Sequence, residues 1–354
     1  MRLRLLVALF LVSPWHVVCQ QATPPPPAPP LPKDPRALLE AARPFYNFSD
    51  PSLKPWHLKA TYQLYDDKGK PSEQGTYEYW WASPHVYRSS WKRGNASFTD
   101  WHTADDKHSY LESGGGFGLF EHKLETALLD PLPKIADLDP AKYRLDREEV
   151  KLGDTKFPCV MIVPIMPQHG QVQIVPLGLF PTYCFNHDIP VLQIRDSFGT
   201  VAEYLNRIAK VQGRYLPQDI KFFEGKQTVL SASVDQIEGI SAADPSFTPA
   251  PTAIKPNSEK VQIAEAVMVG MLIKKQAPFY PQDAKDARVS GTVILQATIG
   301  RDGKIHDLRV LQTPWPSLAA ASLISVSKWE YKPYMLNNEP VEVETTIKVI
   351  YALN

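Results

Sequence analysis

Gly291-Thr292-Val293-Ile294-Leu295-Gln296-Ala297-Thr298-Ile299-Gly300-Arg301-Asp302-Gly303 is the stretch that decides how the C-terminal part folds. Val293, Leu295, Ala297 and Ile299 fall on one side, which predicts a half-buried strand. Gly300-Arg301-Asp302-Gly303 reads as a tight hairpin turn, because Asp-Gly suits backbone with positive φ. The return strand is expected over Lys304 to Leu311. Pro314 to Ser317 then opens a helix over Leu318 to Lys328, with Leu318, Ala321, Ser322, Val326 and Trp329 on its apolar face. The last strand, Val341 to Leu353, places Val343, Thr345, Ile347, Val349, Tyr351 and Leu353 on one face. Glu342, Glu344, Thr346 and Lys348 lie on the other. The unit is β-β-α-β, a helix packed on a small antiparallel sheet.

Upstream of this block, residues 241–257, SAADPSFTPAPTAIKPN, show no hydrophobic period and read as a linker. A second proline-rich spacer lies at 20–35; such a run favours polyproline II. The two bound a block over 36–240 and leave a terminal block over 258–354. The first block opens with a short helix around Pro35 to Ala42. It continues as antiparallel strands around Leu58–Leu64, Thr76–Trp81, Val86–Trp91, Ser97–His102 and His108–Glu112. A helix carrying Leu119, Phe120, Leu124 and Leu128 follows. More strands are expected at Tyr143–Val150, Cys159–Ile165, Gln171–Pro176, Val191–Asp196, Thr200–Gln212 and Thr228–Ile237. The fold class is therefore α+β: a β-rich N-terminal domain, to which a resemblance given below assigns a half-barrel-like shape, and a small C-terminal domain.

The chain has 354 residues, enough for about two domains. Lys+Arg and Asp+Glu both number 38, so nothing in the charge balance points to nucleic acid. Proline, at 34 residues, excludes a mostly helical chain. Arg2 and Arg4 precede an apolar run, Leu5 to Val12, and residues 1–19 read as a secretory signal peptide. The alternative is a short anchor, although Pro14 and His16 interrupt a run already short of the ~20 apolar residues a span requires. After cleavage near Cys19 two cysteines remain, Cys159 and Cys184. In an exported chain they are most simply a disulfide, with two separate buried thiols as the alternative.

Catalytic motifs are absent from the sequence. Gly114 to Gly118 lacks the Lys-Ser or Lys-Thr of a phosphate loop. His102, His108 and His122 lack metal-ligand spacing and read as surface or hydrogen-bonded side chains. Asp105-Asp106 reads as turn chemistry. No enzyme, metal or cofactor is expected.

The terminal block resembles the C-terminal domain of the TonB family, the energy transducers of Gram-negative bacteria. The matching residues are Tyr280-Pro281 with Ala284, Gly291-x-Val293, Ile299-x-x-Asp302-Gly303, Leu318, Lys328-Trp329-x-Tyr331-x-Pro333 and Asn338-x-Pro340-Val341, over roughly 268–354. The resemblance implies a periplasmic protein in transmembrane transport that binds an outer-membrane TonB-dependent receptor or another envelope protein. The implied mode is strand addition: a partner's extended segment pairs with the free margin of the last strand. The candidate contacts are Glu342, Glu344, Thr346, Lys348 and Ile350. A transducer needs an inner-membrane anchor, so a cleaved leader would make this a docking module without force transmission.

The first block is similar in layout to the LolA-like half-barrel carriers of the periplasm. That similarity implies a second role, a soluble lipid or lipoprotein carrier docked through its C-terminal domain. Tyr77, Tyr79, Trp81 and Trp91 would then line a lipid cavity or, equally, form ordinary core.

Overall fold

The computed structural model describes residues 30–114, 117–165, 180–197, 201–255 and 260–353. The leader, most of the proline run and the strand expected at Gln171–Pro176 lie outside the described residues. Among those described, no helix is long and apolar enough to cross a membrane.

Helix α1 (Pro35–Ala42) starts where sequence chemistry says it should. Asp34 accepts a hydrogen bond from the Ala37 N–H at 2.8 Å, and Pro35 fills the first turn, where its missing N–H costs nothing. Strands β1 (Trp56–Tyr65), β2 (Pro71–Ser83), β3 (Val86–Arg93), β4 (Ala96–Thr103) and β5 (Lys107–Ser113) follow as successive hairpins. After α2 (Leu119–Leu129) come β6 (Tyr143–Leu152), β7 (Thr155–Pro164), β8 (Thr182–Phe185) and β9 (Leu192–Ser197). The series ends with β10 (Val201–Val211), β11 (Arg214–Glu224) and β12 (Gln227–Gly239). All twelve form one antiparallel sheet, ordered β5-β4-β3-β2-β1-β12-β11-β10-β9-β8-β7-β6. The pairing of β1 with β12 joins the two runs of hairpins, and β5 and β6 are left at opposite margins.

The sheet wraps α1 and α2 as an open half-barrel. Leu38, Leu39, Leu124 and Leu128 from the helices share one core with Leu58, Val160, Leu205 and Phe222 from the strands. Tyr77, Tyr79, Trp81 and Trp91 are all buried within it, so they are core; Trp56 stacks on both Tyr79 and Trp81. Two strands escaped the sequence reading, β8 and β11. Strand β11 carries Pro217, yet β12 pairs with β11 only from Asp219 onward, so the proline displaces no ladder bond on that side. Gln212 and Gly213, at φ 46° and 82°, make the tight turn that joins β10 to β11.

Cys159 and Cys184 face each other across β7 and β8 and form a disulfide. It closes a loop with a sequence separation of 25 residues. On the chain-entropy account such a loop stabilises the fold by about 3.5 kcal/mol. The Cys159→Ala/Cys184→Ala double variant is expected to lose about that much in urea unfolding monitored by tryptophan fluorescence. A loss under about 1 kcal/mol would show that the unfolded chain is already constrained there.

The C-terminal domain contains the expected β-β-α-β unit: β15 (Gly291–Ile299), β16 (Ile305–Gln312), α5 (Pro316–Val326) and β20 (Glu342–Tyr351). It adds β13 (Lys260–Gln262), α3 (Glu265–Val269), β14 (Leu272–Lys274) and α4 (Gln282–Asp286). Three two-residue strands, β17 (Glu330–Tyr331), β18 (Met335–Leu336) and β19 (Glu339–Pro340), complete the set. The main sheet is ordered β13-β20-β15-β16. Gly303, at φ 79°, is required in the β15–β16 turn. A Cβ there would stand 1.9 Å from the Tyr331 carbonyl, and the Tyr331 N–H donates to the Gly303 carbonyl. Helix α5 is buried beyond the predicted face, with Ala319, Leu323 and Ser325 also covered.

Residues 241–257 are not a loose linker in their described part. Asp244 caps a short turn over Pro245–Phe247, Phe247 is buried, and the Ser246 carbonyl accepts from the Trp101 indole at 3.0 Å. Ile254 then pairs with Tyr110, adding a bridge to the margin of β5. The segment is a strap laid over β3 to β5, held by apolar burial that composition does not reveal.

Candidate partner-binding margin

The outward margin of β20 is the site that the sequence singled out. Alternation along the strand sets its geometry. Val343, Ile347, Val349 and Tyr351 are buried toward α5, whereas Thr346, Lys348 and Ile350 are exposed, Ile350 at 75%. The Glu344 carbonyl and the Lys348 N–H both point away from β15. By the two-residue period, the backbone groups of Glu342, Glu344, Thr346, Lys348 and Ile350 all face this margin.

The expectation of a wholly free margin needs correction. Strand β13 already lies on it, parallel, in the register Lys260↔Glu342, Val261↔Val343 and Gln262↔Glu344. The Ile263 N–H donates to the Glu344 carbonyl at 3.0 Å. Lys260 Nζ stands 3.5 Å from Glu342 and 3.7 Å from Glu344. The Glu265 carboxylate accepts from the Lys348 N–H at 3.1 Å and pairs with Lys348 Nζ at 2.7 Å. Glu342 and Glu344 are therefore covered, Lys348 is capped by a side chain, and the stretch from Thr346 to Ile350 carries no strand among the described residues. A three-residue strand separated from β20 by about eighty positions has too little pattern to be read from sequence.

The family-motif residues take structural places. The Tyr280 hydroxyl donates to the Val289 carbonyl, and its ring meets Tyr351 edge-on at 5.2 Å. Pro281 precedes α4, on which Ala284 is fully buried. Gly291, at φ 147°, lets Pro314 approach. The Trp329 indole donates to the Gln276 carbonyl at 2.8 Å, Tyr331 is buried, and Pro333 is exposed.

Two clefts separate the domain from the half-barrel. The first, about 410 Å³, has Trp91, Phe117 and His122 on one side and Arg301, Asp302 and His306 on the other. The His122 and His306 rings lie 4.0 Å apart, and the Arg301 guanidinium sits over the Tyr110 ring at 4.4 Å. His306 and Asp302 approach to 3.1 Å. Burial, with His306 adding to it, pulls the His122 imidazole down to about 3. Burial would raise the Asp302 carboxyl, but His306 and the Lys304 N–H outweigh it and hold it below the usual carboxylate range. Glu112 is pushed up, first by burial and then by Asp302. Nε2 of His122 and Oδ2 of Asp302 are buried without a hydrogen-bond partner among the described residues. No three His, Cys, Asp or Glu side chains there are placed to hold a metal ion. Sequence reading had put His122 among surface or hydrogen-bonded histidines; its partner ring is 184 positions away, and only tertiary structure brings them together. Helix α2 does not offer an anion site, because the Glu121 carboxylate accepts from the Gly118 N–H at 2.9 Å and occupies its N-terminus.

The second cleft, about 350 Å³, has apolar walls including Tyr143, Ile162, Phe180, Leu308 and Leu323. Below it lies a buried ionic group: Arg195 Nε is 2.6 Å from Glu203, and Lys123 Nζ is 3.6 Å from the same carboxylate. Leu119, Met161, Val163 and Phe180 of the half-barrel join the core of the C-terminal domain, so the two parts share apolar packing.

Residues 276–353 match the family described as the Gram-negative bacterial TonB protein C-terminal, which is less than a quarter of the chain. Among solved structures, a DUF1329 family protein from Desulfovibrio piger is similar over 61% of this chain and 98% of its own, at 12% identity and a TM-score of 0.38. A LolA superfamily protein from Nitrosomonas europaea is similar over 61% of this chain and 97% of its own, at 10% identity and a TM-score of 0.33. No curated protein matches the chain.

Proposed function

We propose that this chain is an envelope protein of the periplasm that binds a partner's extended polypeptide segment along β20, serving transmembrane transport as a docking protein without catalysis of its own. The partner class is an outer-membrane receptor or another envelope protein. The observation that carries the reading is the added strand itself. The margin of β20 accepts a parallel strand, here three residues of the same chain, and the backbone from Thr346 to Ile350 extends beyond it. An unpaired ladder of this kind is a template for another chain. The match of residues 276–353 to the TonB C-terminal family supports the same role.

Thr346→Pro tests it. The Thr346 N–H faces the margin, not β15, so proline removes a donor offered to the partner and leaves the inner ladder intact. With a photo-crosslinker placed at Ile350 in the exported protein, partner capture is expected to fall at least about tenfold in the proline variant. Circular dichroism should remain native. Unchanged capture would reject strand addition.

The carrier reading keeps one specific observation, the second cleft, where Tyr143, Ile162, Phe180, Leu308 and Leu323 form an apolar wall beside Lys123, Arg195, Asp307 and Arg309. The concave face itself is filled by α1 and α2. Native mass spectrometry of the whole exported chain would show a co-purifying lipid if the cleft holds one; a bare mass would remove this reading.

A further inference from the structure

The outward residues of β20 have a polarity along the strand. Glu342 and Glu344 stand at one end, Thr346 is neutral, Lys348 is basic and Ile350 is apolar. The segment lying on them has the complementary order: Lys260 against the two glutamates and Glu265 against Lys348, with Val261, Gln262 and Ile263 between. In a parallel arrangement the opposite charges meet at both ends. In an antiparallel one, Lys260 would face Lys348 and Glu265 would face the glutamates.

We propose that Lys260–Glu265 is the chain's own copy of the ligand this margin recognises. The partner is then an extended segment running parallel to β20, with a basic residue followed six positions later by an acidic one, because an extended strand returns to one face only at even spacing and the own copy reaches Lys348 a residue early by turning at Ala264; it binds by displacing β13. The proposal rests on the strand-addition reading and specifies its orientation, its charge pattern and its internal competitor.

Two further features fit a replaceable occupant. The own copy is short: Ala264 precedes the α-helix Glu265–Val269, so the chain leaves extended geometry before it reaches Ile350. A partner that stays extended gains the ladder positions of Thr346, Lys348 and Ile350 and covers a side chain left 75% exposed. The own copy holds its place through tethering, which supplies a high effective concentration in place of many contacts. The strap that pairs Ile254 with Tyr110 lies just before it in the chain. Lys260 and Glu342 border the first cleft, and release of β13 opens that side of it.

The test uses the full chain and two fluorescein-labelled synthetic peptides. One is Lys-Val-Gln-Ile-Thr-Thr-Glu-Val; the other exchanges its charges, Glu-Val-Gln-Ile-Thr-Thr-Lys-Val. Val261→Pro loosens β13, because the Val261 N–H shares the orientation of the Ile263 N–H toward β20. In fluorescence anisotropy, the first peptide is expected to bind Val261→Pro at least about tenfold more tightly than the native chain. It should also bind at least about tenfold more tightly than the charge-exchanged peptide. Adding Thr346→Pro to the loosened chain should abolish both signals. If neither peptide binds the loosened chain, strand addition itself fails. If both bind equally, strand addition stands and the charge-matched parallel ligand is overturned. If the native chain binds as tightly as Val261→Pro, β13 is not the competitor.

Discussion

Glu203→Leu is expected to lower the unfolding free energy by about 4 kcal/mol. Glu203 is fully buried on β10, opposite Arg195 on β9, and it accepts from Arg195 Nε at 2.6 Å. Lys123 reaches the same carboxylate from α2 at 3.6 Å. Burial pulls the Lys123 ammonium below its ordinary value, with Glu203 opposing. Burial acts on Arg195 in the same sense, but there Glu203 prevails and the guanidinium is held above its ordinary value. Removing the carboxylate leaves two desolvated cations side by side, with Asp307 of β16 as the remaining acid whose charge acts on both. Breaking one partner of a buried pair costs far more than the pair contributes, because the stranded charge keeps its desolvation penalty. The Arg195→Met/Glu203→Leu double variant should therefore recover more than half the loss. Urea unfolding of both variants, followed by tryptophan fluorescence, checks this. A single-variant loss below about 1 kcal/mol would mean that water reaches Glu203.

Acid should weaken the junction between the domains through His122. Its imidazole titrates at about 3 in the folded chain, against 6.5 ordinarily. A base whose folded value is depressed is bound by more protons in the unfolded chain below 6.5, so stability is full above that pH and falls as pH drops toward 3. At about 1.4 kcal/mol per pH unit, the loss reaches roughly 4 kcal/mol by pH 3.5. Asp302, held low by His306 and the Lys304 N–H, adds to the acid loss below its own ordinary value. Glu112 and Glu125, both raised by burial, act in the opposite sense, Glu125 at about 7. The difference between the native chain and His122→Leu isolates the histidine. At pH 7.5 the variant should be the less stable by about 1 kcal/mol, because the hydrogen bond between the His122 ring and the Phe117 backbone is lost. By pH 4 the variant should be the more stable by about 2 kcal/mol. Parallel pH profiles would show that the His122 ring reaches solvent. Because His122 rests on His306 across the first cleft, the same acid range is where the C-terminal domain should begin to loosen from the half-barrel.

The margin of β20 proposed for a partner and the margin of β5 are both met by one short segment. The strap bridges β5 at Ile254, and β13 covers β20 a few residues later. Each margin is a row of backbone donors and acceptors that needs a partner. Ile254 answers the one and β13 the other.

The C-terminal architecture was legible because its signals are local. The alternation from Val293 to Ile299, the Asp302-Gly303 turn and the alternation from Val343 to Tyr351 each act within a dozen residues, and the strands formed where that period placed them. The cysteine pair was legible for a different reason, since the export expected from the leader made a disulfide the simplest reading of Cys159 and Cys184. Strand β11 was missed; it carries Pro217, which weighs against a strand until one knows that its neighbour on that side begins later. The occupancy of the β20 margin, the contact of the His122 and His306 rings and the sharing of Glu203 by two cations were decided by tertiary structure alone. Periodicity determines which face of a strand is apolar, because that depends on neighbours two residues apart. Which chain lies along its margin, and which charges meet in a cleft, depends on residues tens to hundreds of positions apart, and only the folded arrangement brings those within reach.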